Sequence, residues 1–213
     1  MEEYIQEIYE NIEKYYTDKI LKYGANPLGV DWKNEEGQIL RFGQLSKVLN
    51  INIPFTVADL GCGYGKFIDY LDKNFQNYTY IGYDLSNSMI KKAIELYGYK
   101  NNVYFQHIKS IKEIQSVDYI ITSGIFNVKM HYTEVQWLNY ILNTLEQMYN
   151  KSLKGFAFNI LSKYSDKEYM RDYLYYADPL FLFDFCKRNF SKNVSLLHDY
   201  ELYEFTIIVR KVV

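Results

Sequence analysis

The chain has 213 residues, of which 48% are hydrophobic, and this is enough apolar material for the core of one α/β domain. Its 24 Lys and Arg residues are balanced by 26 Asp and Glu residues, so the net charge of −2 excludes a strong positive field for holding nucleic acid. The densest apolar stretch, residues 179–183, is far shorter than a membrane span. The N-terminal segment lacks the basic start and apolar centre of a signal peptide, so we expect a cytoplasmic protein with no membrane or nucleic-acid partner.

Cysteines and histidines are few and widely separated. Cys62 and Cys186 lie far apart, as do His107, His131 and His198. Their spacings match neither a disulfide framework nor a zinc site, so we expect no metal.

In chain order, the first predicted elements are helical. Apolar residues recur at helical spacing over residues 4–22, which predicts an amphipathic helix with an acidic outer face. A loop with Gly and Pro follows at residues 24–29, and a second helical pattern covers residues 38–50. We call residues 1–50 the preface.

Strands and helices then alternate. β-rich runs at residues 55–60, 78–83, 103–105, 117–122 and 155–160 predict five strands. Helical patterns follow the first and second strands, with Ser86 as a cap, and a capping box formed by Thr133 and Gln136 opens a long helix before the fifth strand. This alternation predicts a Rossmann-like α/β sheet, mostly parallel, with helices on both faces.

The last part of the chain breaks this alternation. Capping signals predict helices over residues 166–177 and 179–189, which lie within a helical insertion at residues 163–190. Strands at residues 194–198 and 205–209 are too close for a helical crossover, so they predict an antiparallel hairpin. The sequence therefore predicts a seven-stranded sheet in a single domain, with residues 51–213 as the core and the preface as a cap.

A glycine loop follows the first predicted strand, at Gly61, Gly63 and Gly65. Glycines there allow a ligand to approach the backbone and allow positive φ. The dinucleotide fingerprint spaces its glycines G-x-G-x-x-G, whereas residue 66 is Lys and the third glycine comes one residue early. This spacing disfavours a nicotinamide cofactor.

Two acids accompany the glycine loop. Asp84 closes the second predicted strand, where its carboxylate can accept hydrogen bonds from both hydroxyls of a ribose. Alternatively, Asp84 only caps the next helix. Asp59 lies near the end of an apolar strand, so it requires a partner, either the ammonium of a ligand or backbone N–H groups.

Residues 53–210 resemble the class I S-adenosylmethionine-dependent methyltransferases. The resemblance rests on residues 57–65, residues 80–86 and the closing hairpin. It implies S-adenosylmethionine as cofactor and S-adenosylhomocysteine as product. It further implies that the cofactor is bound by Asp59, Gly61, Cys62, Gly63, Gly65, Asp84, Leu85 and Ser123. The family often has an acid for the adenine after its third strand, but this chain has His107, Ile108 and Lys109 there, so the adenine ligand stays open.

The preface is similar to that of small-molecule methyltransferases at residues 29–32 and 38–42. This similarity implies that the preface closes over the cofactor and that Arg41 binds the cofactor carboxylate with its planar guanidinium. A solvated Arg41 on the outer face of a helix is the alternative. Trp32 either packs the preface onto the domain or stacks on a substrate.

The segment after the fourth predicted strand bears on the methyl acceptor. Residues 123–132 carry neither the Asn/Asp-Pro-Pro-aromatic motif of nucleic-acid amino methyltransferases nor a pair of glutamates as in protein arginine methyltransferases. We therefore expect O- or N-methylation of a small molecule. His131 and His198 are candidate general bases, needed only if the acceptor must lose a proton, and either could equally be a surface residue. A nicotinamide-dependent oxidoreductase and a non-catalytic S-adenosylmethionine-binding protein are the alternatives. The acceptor's identity and the oligomeric state stay open.

Overall fold

The fold is built on one seven-stranded sheet. A computed structural model describes residues 2–50 and 52–211, and the side chains of residues 2 and 3 are left out. The strands are β1 Phe55–Leu60, β2 Tyr78–Asp84, β3 Val103–His107, β4 Val117–Thr122, β5 Ser152–Leu161, β6 Asn193–Leu197 and β7 Glu204–Arg210.

The strand order β3-β2-β1-β4-β5-β7-β6 determines where a ligand can bind. Strands β1 to β5 pair in parallel, and β7 is antiparallel to both β5 and β6. The chain builds outward from β1 to β3 and then returns to place β4 on the other side of β1. At such a switch point the loops after neighbouring strands diverge and leave a crevice at the carboxyl edge of the sheet.

In the described part of the chain, six α-helices surround the sheet. They are α1 Glu2–Tyr23, α2 Glu35–Leu45, α3 Phe67–Asn74, α4 Asn87–Tyr97, α5 Glu134–Lys151 and α6 Pro179–Asn189. The preface contributes α1 and α2, joined through a 3₁₀ turn at Pro27–Val30. No helix among the described residues is both long and apolar enough to cross a membrane.

The preface packs onto the core through specific polar contacts. The hydroxyls of Thr17 in α1 and Ser86 before α4 lie 2.7 Å apart, and Asn11 Nδ2 donates to the hydroxyl of Tyr132 at 2.6 Å. Residue 51, the predicted boundary between preface and core, lies outside the described residues. Preface and core thus share one packed interface.

The sheet is buried on both faces. Ala58 and Leu60 of β1 join the cluster that contains Trp137 of α5, whereas Val57 joins the cluster that contains Phe67 of α3. Side chains of one strand therefore enter two different cores, which explains why neighbouring residues such as Val57 and Ala58 are both apolar.

The predicted fold class and the closing hairpin are confirmed. Asp178 caps α6 by accepting a hydrogen bond from the Leu180 amide at 2.9 Å, as the sequence predicts. The second helix begins earlier than predicted, at Glu35, because Asn34 accepts from the Gly37 amide at 3.0 Å.

The predicted helix at residues 166–177 is wrong. Only a 3₁₀ turn forms there, at Lys167–Tyr169. The Tyr175 amide donates to the carbonyl of Asn127 and the Ala177 amide donates to the carbonyl of Leu161, both at 2.8 Å. Backbone bonds to the core therefore replace those of a helix.

Removal of the α5 cap should destabilise the fold. Thr133 Oγ1 accepts from the Gln136 amide and Gln136 Oε1 accepts from the Thr133 amide, which completes the predicted capping box. We expect Thr133→Ala to lower the free energy of unfolding by about 0.5–2 kcal/mol in urea denaturation. Thr133→Ser keeps the capping oxygen and is the control, so equal losses in both variants would contradict the capping role.

Candidate active site

A cavity of about 330 Å³ lies at the carboxyl edge of the sheet. The loops after β1, β2 and β4 form its floor, and the preface covers it through Ile12, Tyr16, Val30 and Trp32. Its volume lies within the range of small-molecule sites. The cavity therefore occupies the switch point that the strand order creates.

The glycine loop after β1 requires glycine for two reasons. Gly61 and Gly63 have φ of +75° and +55°, a region that disfavours side chains. A Cβ at Gly61 would overlap the Ile125 side chain, and one at Gly63 would lie 2.8 Å from Val30 Cγ1. The loop thus packs closely against both the loop after β4 and the preface.

Asp84 ends β2 and lines the cavity. Its Oδ2 accepts from the Gly63 amide and its Oδ1 accepts from the Ser86 amide, each at 2.8 Å. Burial raises its pKa to about 6, and the N–H donors of Ser86 and Gly63 oppose this shift. The cap of α4 is Ser86, which accepts from the Met89 amide. Asp84 therefore holds the glycine loop and does not cap the helix.

Asp59 of β1 is a second buried carboxylate in the cavity wall. The Tyr80 hydroxyl donates to its Oδ2 at 2.9 Å, and burial raises its pKa to about 7. Within residues 4–50 and 52–211, neither Asp59 nor Asp84 forms an ion pair with a Lys or Arg side chain. The cavity therefore presents two carboxylates to whatever binds there.

Arg41 of α2 also lines the cavity. It is 9% exposed, its Nε donates to Glu204 Oε1 at 2.7 Å, and its guanidinium lies 3.8 Å from the centre of the Trp32 ring. The alternative of a solvated Arg41 is therefore wrong. The Trp32 ring lies so close to Gly124 that a Cβ on Gly124 would overlap it. Trp32 thus packs the preface onto the loop after β4.

Comparison with solved structures shows the same fold in methyltransferases. Magnesium protoporphyrin IX methyltransferase of Synechocystis PCC 6803 with bound SAH has a TM-score of 0.67 and 16% identity, over 96% of this chain and 99% of that one. A complex of DhpI with SAH has a TM-score of 0.63 and 13% identity, over 95% and 96% of the two chains.

Sequence comparison decides the family. Residues 58–152 match the family model described as "Methyltransferase domain". The protein named "Putative methyltransferase Rv1506c" from Mycobacterium tuberculosis (strain ATCC 25618 / H37Rv) is 46% identical over 165 residues, which cover 78% of this chain and 98% of that protein. This chain belongs to the class I S-adenosylmethionine-dependent methyltransferases. Membership of this family decides against the nicotinamide-dependent alternative.

The methyltransferase brings most of the predicted cofactor residues to one cavity. The lining includes Arg41, Asp59, Gly61, Cys62, Gly63, Asp84, Leu85 and Ser123. Gly65 is the exception, since it is not part of the cavity lining. A Cβ at Gly65 would lie 3.1 Å from Tyr97 and 3.3 Å from Phe105. Gly65 therefore serves the packing of α4 and β3 against the loop.

The structure does not bring the two predicted bases to the cavity. His131 is exposed and stacks on Tyr132 with 4.4 Å between ring centres, and His198 is exposed beside Tyr164 and Phe205. Neither imidazole is part of the cavity wall. Position after a strand was their only signal, and both side chains turn to the surface.

Several lining residues were not singled out by the sequence analysis. Glu204 begins β7, is 1% exposed and pairs with Arg41. An acid that begins an otherwise apolar strand was a usable signal, the same one that marked Asp59. Tyr16 of α1 also reaches the cavity, but nothing distinguishes it among 24 tyrosines in the sequence.

Asp59 should make the stability of the methyltransferase depend on pH. Its pKa is about 7 in the folded chain against an ordinary value of 3.8, so the folded state binds the extra proton between these values. The stabilisation is present at low pH and is lost as pH rises through 7. We expect the unfolding free energy of Asp59→Asn, relative to wild type, to rise from about pH 4 to about pH 7 and then level. A difference that is constant across this range in urea denaturation would contradict it.

Proposed function

We propose that this methyltransferase transfers a methyl group from S-adenosylmethionine to an oxygen or nitrogen atom of a small molecule, with Asp59, Asp84, Ser123 and Arg41 holding the cofactor. One observation carries the proposal. Two buried carboxylates, of Asp59 and Asp84, and the Ser123 hydroxyl, which has no hydrogen-bond partner among the described residues, belong to the lining of a single cavity. The names of relatives such as magnesium protoporphyrin IX methyltransferase support a small acceptor.

The residues present fit the cofactor. Ser123 Oγ is buried and has no hydrogen-bond partner among the described residues, so a polar ligand atom would satisfy it. The ribose hydroxyls and ammonium group of S-adenosylmethionine are donors, and two carboxylates that form no ion pair with Lys or Arg in the described chain are suited to accept from them. The glycine loop supplies backbone that a side chain would otherwise cover.

Each residue has a distinct part in this proposal. Asp84 accepts from the ribose hydroxyls and Asp59 organises the amine. Arg41 donates to the cofactor carboxylate through guanidinium N–H groups that Glu204 does not engage. Ile108 lines the cavity after β3, where the family often has an acid, and Leu85 lines it after β2. Apolar contact with these two side chains would therefore hold the adenine.

The reaction would depend on positioning. When bound, S-adenosylmethionine supplies an electrophilic methyl group on a sulfonium. The chain's contribution is to hold the acceptor in line with that group and to exclude water with the preface, and orientation alone can supply much of the rate enhancement. Trp32 and Tyr173 line the cavity from the preface and from the segment before α6, where they would contact the acceptor. We propose no role for an imidazole base.

Calorimetric titration with S-adenosylmethionine tests the cofactor, and a scan of small acceptors for release of S-adenosylhomocysteine tests the reaction. Binding without release across all acceptor classes would favour the non-catalytic alternative.

Asp84→Asn should weaken cofactor binding. The amide cannot offer two anionic acceptor oxygens, so we expect a loss of about 1.5–3 kcal/mol in the free energy of S-adenosylmethionine binding by calorimetry. Asp72→Asn changes an exposed carboxylate of α3 outside the cavity and is the matched control. Equal affinity in both variants would remove Asp84 from the cofactor site.

His131→Ala and His198→Ala should leave catalysis unchanged. Because both side chains lie outside the cavity wall, we expect kcat and KM to stay within a factor of about three of wild type, against the 10²–10⁴ typical of a lost general base. The measurement is steady-state turnover of an identified acceptor between about pH 6 and pH 8. A hundredfold loss in either variant would restore that histidine as a base.

A further inference from the structure

A directional chain of hydrogen bonds links the preface to the loop after β4. The Gly124 amide donates to Asn159 Oδ1 at 2.8 Å, and Asn159 Nδ2 donates to Glu204 Oε2 at 2.6 Å. The other oxygen, Glu204 Oε1, accepts from Arg41 of α2. Asn159 and Glu204 are almost completely buried. This series of hydrogen bonds thus links the loop after β4, strand β5, strand β7 and the preface.

We infer that Glu204 is a positioning residue for cofactor binding and methyl transfer, which fixes Arg41 and Trp32 over the cavity and Gly124 beneath them. This inference rests on the proposed function. Trp32 contacts both the guanidinium of Arg41 and the backbone of Gly124. The first and last residues of the hydrogen-bond series therefore both pack against the Trp32 ring. We call Arg41, Glu204, Asn159 and Gly124 the latch.

The direction of each bond requires an ionised Glu204. The Gly124 amide can only donate, so Asn159 must turn its oxygen toward Gly124 and its NH₂ toward Glu204. Arg41 also can only donate. Both oxygens of Glu204 must therefore accept, which only a carboxylate does. Removing that charge from a buried pair leaves Arg41 uncompensated, which is strongly destabilising.

The latch acts on the cofactor through its neighbours. Ser123, whose hydroxyl has no partner in the described chain, directly precedes Gly124. Arg41 itself lines the cavity. A change at Glu204 therefore displaces two residues of the cavity lining, Arg41 and Ser123, although Glu204 bonds to neither Ser123 nor Gly124.

An isosteric swap tests the latch. In Glu204→Gln the new NH₂ must face either Arg41 or the NH₂ of Asn159, so at least one hydrogen bond breaks. In Asn159→Asp combined with Glu204→Gln, the carboxylate at 159 accepts from the Gly124 amide and from the amide of Gln at 204, whose oxygen accepts from Arg41. The double variant therefore restores every bond and the total charge.

Two readouts are measured for each variant: S-adenosylmethionine affinity by calorimetry and hydrogen exchange of the Gly124 amide without ligand. We expect Glu204→Gln to lose at least about tenfold in affinity and to accelerate exchange by at least about tenfold, and the double variant to recover both to within about threefold. Asp184→Asn removes a carboxylate from an exposed ion pair on α6 and is the matched control. Urea denaturation confirms that each variant is folded.

The outcomes separate the alternatives. Wild-type values in folded Glu204→Gln would overturn the latch. If the double variant recovers Gly124 protection but not S-adenosylmethionine affinity, the latch is also overturned. The charge of Glu204 would then act on the ligand directly and not through the hydrogen bonds. A double variant that recovers neither readout would overturn the hydrogen-bond account. If the wild-type protein does not bind S-adenosylmethionine, the proposed function fails, whereas the Gly124 exchange still tests the latch.

Discussion

The reversal of strand order between β1 and β4 is the constraint on which the rest of this structure depends. It separates the loops that follow these strands, so the core cannot close its own carboxyl edge. Covering that edge falls to α1, α2 and the turn between them. The cavity has a floor from the sheet domain and a cover from the preface, and the contacts between Gly63 and Val30 and between Gly124 and Trp32 are where the two meet.

Charge in the cavity is distributed in two different ways. Arg41 and Glu204 neutralise each other inside the protein, which compensates for the desolvation of both groups. Asp59 and Asp84 have hydroxyl and amide donors but form no ion pair with a Lys or Arg side chain of the described residues. Because burial disfavours the charged form, their pKa values are raised. A cationic ligand would reverse this disadvantage, and S-adenosylmethionine carries the required charge.

The sequence predicts those features that depend on local pattern. Strand β4 and helix α6 match their predicted bounds, because period and capping signals are encoded within a few residues. Gly61, Gly63 and the acids of β1 and β2 were also predictable, since each breaks the pattern of the strand that precedes it.

Features that depend on distant partners were not predictable. Residues 166–177 carry helix signals, but their amides bond to Asn127 and Leu161, which only the fold brings near. The same limit applies to His131, because position after a strand does not reveal which way a side chain turns. Glu204 shows it most clearly, since its role depends on a partner 163 residues away.

The preface precedes its partners in the chain, and this order has a consequence for folding. Residues 2–50 leave the ribosome before the core, but Asn11 bonds to Tyr132 and Arg41 bonds to Glu204, which are made 121 and 163 residues later. Contacts of such separation form late, because the loop they close must be ordered first. The apolar face of α1, with Ile8 and Ile12 buried in the finished fold, is therefore without its partners during most of synthesis. A nascent chain of this protein therefore completes its cover only after β7 is made, when Glu204 becomes available to Arg41.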